Sequence, residues 1–138
     1  MAVIDELIKK EEDGSISFGN YELDSKAKLD GFEVSGDLYK VKTYKDITKL
    51  ERNGLFVYES VPGTTVTDLA LAESGVTFKV EGPKDAQITL ELEAEEEYEV
   101  EIGGNSVGKM KTNLGGKITF GVELEDADQI TVKVVKVS

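Results

Sequence analysis

The chain has 138 residues, enough for one domain with its own core, and a formal net charge of −12 from 16 basic and 28 acidic side chains. It contains no Cys, His or Trp, which excludes disulfides, thiolate chemistry, imidazole metal ligation and the commonest general base. A surface this acidic repels nucleic acid and anionic membranes, and leaves a basic partner, a cation or plain solubility as its meaning.

The first ten residues place Asp5 and Glu6 where a secretory signal needs basic residues. No apolar run anywhere is long enough to span a bilayer, so a cytoplasmic protein is expected. Val3, Ile4, Leu7 and Ile8 fall at helical spacing, opposite Asp5, Glu6, Lys9 and Lys10. Early acids and late lysines suit a helix dipole. The pattern predicts a short amphipathic helix over residues 2–12, stopped by Asp13-Gly14. Such a helix is marginal alone, so Ile4, Leu7 and Ile8 are expected to dock on the chain's own sheet or on a second copy.

Beyond it, Gly19-Asn20, Asp30-Gly31, Asn53-Gly54, Gly104-Asn105 and Gly115-Gly116 sit between short apolar-rich runs. Pairs of this kind tolerate the positive φ of tight hairpin turns. Pro62-Gly63 marks a break, dividing an N-terminal helix and hairpin region (1–61) from a second region (62–138), unless the two run on as one domain. In the segment between, Leu55, Phe56, Val57 and Tyr58 put large apolar groups on both faces of one strand. That pattern marks a strand central to a core, or else an aromatic stripe at Phe56 and Tyr58 presented to a partner chain.

The second half alternates with period two. Val76, Phe78 and Val80 share one face, as do Ile88, Leu90 and Leu92; Tyr98, Val100 and Ile102; Ile118, Phe120 and Val122; and Ile130, Val132 and Val134. Strands at about ten-residue spacing predict an antiparallel sandwich or barrel. The runs Tyr98 to Gly104 and Lys111 to Phe120, with the closing Ile130–Val134 strand, resemble immunoglobulin-like accessory modules of bacterial carbohydrate-active enzymes. The stretches Ile16–Leu23, Gly36–Thr43, Asn53–Gly63 and Gly108–Leu114 also resemble a group of short bacterial proteins that carry an endosialidase label. The fold expectation is therefore mainly β: an antiparallel immunoglobulin-like β-sandwich with a short N-terminal helix and a β-rich first half.

The endosialidase label implies a cluster of arginines holding the sugar carboxylate, because guanidinium forks match it. Arg52 is the only arginine in the chain, so a self-contained sialidase site is not expected. Phosphate loops, nucleophile elbows and dinucleotide fingerprints are missing. Glu123, Glu125, Asp126 and Asp128 read as an acidic turn rather than a calcium loop. The remaining feature is seven glutamates from Glu91 to Glu101 without a lysine among them. If β-strands on either side of Glu95-Glu96 form a hairpin, Glu91, Glu93, Glu99 and Glu101 share one open face, to be neutralised by Lys79, Lys109, Lys111 and Lys133 or by a cation or basic partner. The sequence thus points to a non-enzymatic interaction module that needs no cofactor and works on a protein partner or by self-association, with Glu91, Glu93, Glu99, Glu101, Phe56, Tyr58, Ile4, Leu7 and Ile8 as its candidate surface. A carbohydrate-binding accessory protein, by resemblance alone, and a self-assembling structural subunit are the alternatives.

Overall fold

The computed structural model describes residues 3–137. Thirteen strands make two antiparallel sheets: β1 (Ile8–Lys10), β2 (Ile16–Phe18), β3 (Ala27–Val34), β4 (Asp37–Tyr44), β5 (Ile47–Arg52), β6 (Leu55–Val61), β7 (Thr65–Ala72), β8 (Gly75–Glu81), β9 (Ala86–Glu91), β10 (Glu97–Ile102), β11 (Asn105–Lys111), β12 (Lys117–Val122) and β13 (Ile130–Lys136). The first sheet runs β1-β2-β7-β8-β13-β10-β11, the second β12-β9-β6-β5-β4-β3. Residues 1–61 and 62–138 each supply strands to both sheets, so one core is shared between them.

The alternating apolar positions face inward between the sheets. Val80, Leu90, Val100, Ile118, Phe120, Val122, Val132 and Val134 are buried, while Leu92 and Ile102 at strand ends are half-buried. Tyr58 of β6 spans the two layers. Its ring meets Phe18 and Phe78 of the opposite sheet edge-on, at centroid distances of 5.3 and 5.6 Å, the arrangement ring quadrupoles favour. Its hydroxyl lies 2.8 Å from Thr64 Oγ1, and Ser60 Oγ lies 2.7 Å from the same atom. Thr48 Oγ1 donates to the Thr64 carbonyl at 2.8 Å. These hydroxyls satisfy the buried backbone where the chain steps from β6 in one sheet to β7 in the other, as buried polar groups require. Gly19 closes this region against the Thr64 carbonyl, where a Cβ would collide.

The second half is one long hairpin folded over. β10 pairs β11, β9 pairs β12 and β8 pairs β13, with the tip at Gly103-Gly104. This two-stranded ribbon begins in the first sheet, crosses to the second and returns, wrapping the core in jelly-roll fashion. Hydrogen bonds fasten its corners. Leu92 N donates to Gly116 O at 2.7 Å, Thr112 Oγ1 donates to Glu93 O at 2.6 Å, and Asp85 Oδ1 accepts from the backbone of Leu124 and Glu125 at 3.0 and 3.1 Å.

The helix expected over residues 2–12 does not form in the described part of that segment. Ile8, Lys9 and Lys10 pair antiparallel with Phe18, Ser17 and Ile16. Leu7 has a positive φ of 74°, which ends any helical path. The physical reason is competition. A helix this short gains little backbone stability by itself, whereas strand pairing satisfies the β2 edge and still buries Ile4 and Ile8. Asp30-Gly31 is likewise not a turn but a bulge inside β3, where register shifts between Leu29 and Phe32.

Candidate functional site

The structure disperses the residues that sequence reasoning grouped. Ile4 and Ile8 are buried and Leu7 is half-buried against the core, so this stripe is covered by the chain's own sheets. Tyr58 is wholly buried and belongs to the core rather than to a recognition surface. Phe56 is half-buried, with Lys117 Nζ 4.8 Å and Lys49 Nζ 5.7 Å from its ring centre.

The expected hairpin of glutamates is absent because β9 and β10 lie in different sheets. Glu99 and Glu101 face β11 and β13: Glu99 stands opposite Lys109, Glu101 opposite Lys133, and the adjacent Glu97 opposite Lys111. Ser106 Oγ donates to Glu99 Oε2 at 3.0 Å. Glu93 forms a 2.7 Å ion pair with Lys136, and the hydrogen bond from that lysine holds its ammonium above the ordinary range. Lys79 is not part of this arrangement; it stands opposite Thr131 and pairs with Asp68 at 3.8 Å. Opposite charges across strands attract, so this acidic run is largely balanced within its own sheet.

Glu91 and Glu93 instead join Phe56 at one end of the sandwich. There a cleft of about 340 Å³ opens between the sheets, lined also by Arg52, Leu55, Leu71, Glu73 and Tyr98. Arg52 borders a second cleft of about 310 Å³ with Asp13, Asp37 and Tyr39. Its guanidinium has no ion-pair or hydrogen-bond partner among the described residues. A lone fork can hold one carboxylate but builds no clamp. Among the described residues no three acidic side chains converge as a metal site.

The feature that sequence reasoning missed lies on the outer face of the second sheet. Lys28 of β3 stands directly opposite Lys42 of β4, and Lys42 directly opposite Lys49 of β5. Lys40 projects two residues along β4 on the same face. Lys28, Lys40, Lys42, Lys49 and Glu51 line a small depression of about 50 Å³. Lys26 closes one side, its Nζ 6.0 Å from the Tyr44 ring centre. Within the cluster, Lys49 pairs with Glu51 at 3.5 Å. Burial, with added repulsion from Lys26, Lys49, Lys28 and Lys40, holds the Lys42 ammonium below the usual lysine range. The signals in sequence were the Lys26-Ala27-Lys28 and Lys40-Val41-Lys42 alternations. Net charge, averaged over the chain, concealed the rest.

No protein-family model, curated protein or solved structure matches the chain.

Proposed function

We propose that the protein is a non-catalytic interaction module that takes an anionic group of its partner on the lysine face of β3, β4 and β5. The carrying observation is the cross-strand row Lys28-Lys42-Lys49 on a chain of net charge −12. Like charges directly opposite one another cost stability. The chain has 28 acidic residues, yet they reach this row only at its Lys49 end, where Glu51 forms an ion pair and Glu59 stands opposite on β6. Lys28 and Lys42 have lysines directly opposite. An anion seated there repays that cost, and distant carboxylates interfere little, since charges more than about 8 Å away are screened at physiological salt. The aromatic rings beside the face, Tyr44 and Phe56, are covered by lysine ammonium groups, so they offer no stacking platform for nucleic-acid bases.

The absence of catalysis is part of the same reading. Its support is the single arginine, the lack of His and the separation of β9 and β10 carboxylates into two sheets. The immunoglobulin-like reading of the second half and the cytoplasmic setting rest on the strand pattern and the cysteine-free composition.

The test is binding to immobilised polyanions, polyglutamate and a sulfated polysaccharide, at several salt concentrations. The wild-type chain is expected to bind at least one, more weakly as salt rises, and the Lys28→Glu/Lys42→Glu/Lys49→Glu variant to bind none. Equal binding by the two chains overturns the reading, and so does binding by neither together with failure of small multivalent anions to bind. A companion assay with a sialyl oligosaccharide is expected to show no hydrolysis; turnover that disappears on Arg52→Ala removes the non-catalytic part of the proposal.

A further inference from the structure

Given that reading, the size and chemistry of the lysine face narrow its ligand. The ammonium-bearing strands lie about 4.8 Å apart, so the row of three lysines spans roughly 10 Å. The face is fenced on its sides. Glu59 stands opposite Lys49 on the far side of β5, and Glu51 stands opposite Lys40. On the outer edge β3 bulges at Asp30, whose carboxylate accepts a 2.8 Å hydrogen bond from the Gly31 amide. Along the strands the next outward pair is Tyr44 and Ile47, where the one added charge is the Lys26 ammonium, 6.0 Å from the Tyr44 ring centre.

A patch bounded in this way matches a compact anion of several charges and does not continue as a track for a long polymer. The residue type matters as well. Every cation here is a lysine, a strongly hydrated point charge with rotatable donors, and none is an arginine, whose planar fork imposes one bidentate geometry on carboxylate and phosphate alike. Lysines that converge from three strands can surround tetrahedral oxyanions from several directions. The depression is small, about 50 Å³, and is lined by Lys28, Lys40, Lys42, Lys49 and the one carboxylate Glu51, which is paired with Lys49; it has room for one such group while its neighbours lie along the row.

We infer that the face binds a short linked-phosphate anion, of the size of tripolyphosphate, with one phosphate between Lys28, Lys40, Lys42 and Lys49 and the others along the Lys28-Lys42-Lys49 row. A second phosphate linked to the first gains from the same lysines without a second loss of translational freedom, so tripolyphosphate should bind far more tightly than orthophosphate.

The experiment is calorimetric titration of the whole chain with tripolyphosphate, orthophosphate and sulfate at matched ionic strength, with amide chemical shifts to place the site. Tripolyphosphate is expected to bind at least about tenfold more tightly than either single anion, with shifts confined to β3, β4 and β5. Lys42→Glu is expected to weaken it by at least about tenfold, because the change converts an attraction into a repulsion at the centre of the row. Lys84→Glu, at the exposed corner between β8 and β9, is expected to leave it unchanged. Three results overturn the inference: equal responses to all three anions, shifts outside these strands, or equal loss in the Lys84→Glu variant. If tripolyphosphate fails while polyglutamate or the sulfated polysaccharide still binds through the three lysines, the linked-phosphate ligand is wrong and the anion-binding module stands. If none binds, both fall.

Discussion

Two buried polar side chains show how single residues are held and at what cost. Glu81, at the end of β8, is 3 % exposed. Its Oε2 accepts a 3.2 Å hydrogen bond from the Tyr21 hydroxyl, and its Oε1 has no partner among the described residues. Burial raises its carboxyl above the usual range, and burial together with Glu81 pushes the Tyr21 phenol up to about 12. The sign of the pH effect follows. Below the ordinary carboxyl value Glu81 is neutral in both folded and unfolded chains and costs nothing; as pH rises through its elevated folded value, the native state must carry a buried charge and loses stability. Glu81→Gln should therefore stabilise the protein at pH 7 by about 1 kcal/mol, the scale of a poorly satisfied buried acceptor. The gain should vanish below pH 4.5, the reference value for a glutamate. Denaturant melts of the two chains across this range check it, and a constant difference at all pH values would contradict it. Tyr58 is the opposite case, fully paired. Tyr58→Ala removes the ring between Phe18 and Phe78 and leaves a cavity, at an expected cost of about 3–5 kcal/mol. Sequence reasoning could weigh Tyr58 as core because its strand is apolar on both faces; it could not find Glu81, since nothing local distinguishes it from the exposed glutamates.

At the scale of elements, period-two alternation fixes which face a residue presents and says nothing about which strand lies beside it. The strands of the second half were legible for the first reason. The partnership of β9 with β10 was misread for the second, because the chain crosses between sheets over residues 92–96. Glu93, Glu96 and Thr112 form that corner, with the Thr112 hydroxyl donating to Glu93 O and accepting from Glu96 N at 3.0 Å. The crossing keeps Glu91 and Glu93 away from Glu99 and Glu101 and sets lysines opposite the latter pair, a choice that electrostatics favours over four clustered glutamates. The N-terminal segment was ambiguous at the level of spacing itself. Val3, Ile4, Leu7 and Ile8 suit a helical stripe, yet Ile4 and Ile8 are both buried by an extended chain pairing with β2. This difference is measurable. Ile8 is 1 % exposed within the shared core, so Ile8→Ala should destabilise the protein by about 2–4 kcal/mol, and deletion of residues 1–12 should lower the melting temperature further by exposing the β2 edge. An unchanged melting temperature in both variants would show that this hairpin is not part of the cooperative fold.

Over the whole molecule, charge is segregated in a way that no local window reveals. Lys28, Lys42 and Lys49 are 14 and 7 residues apart in the chain and become neighbours only through the register of β3, β4 and β5. A row selected for folding alone would be interrupted by some of the 28 carboxylates available; a row kept for a ligand leaves the free protein less stable than it need be, a common exchange between site and scaffold. The two explanations differ in sign for one substitution. Lys42→Glu places a carboxylate opposite both Lys28 and Lys49. It should stabilise the ligand-free chain by about 0.5–1 kcal/mol, from cross-strand pairs worth a few tenths each, or about 2–4 °C in melting temperature for a domain of this size. Added sodium chloride should shrink the gain, because screening weakens both the repulsion removed and the attraction created. In tripolyphosphate the order should reverse. The wild-type melting temperature should rise as the ligand binds the native state, and that of Lys42→Glu should move only as far as it does in matched sodium chloride. A variant less stable than wild type without ligand would mean that Lys42 serves the fold, and the lysine row would lose its claim to be a binding site.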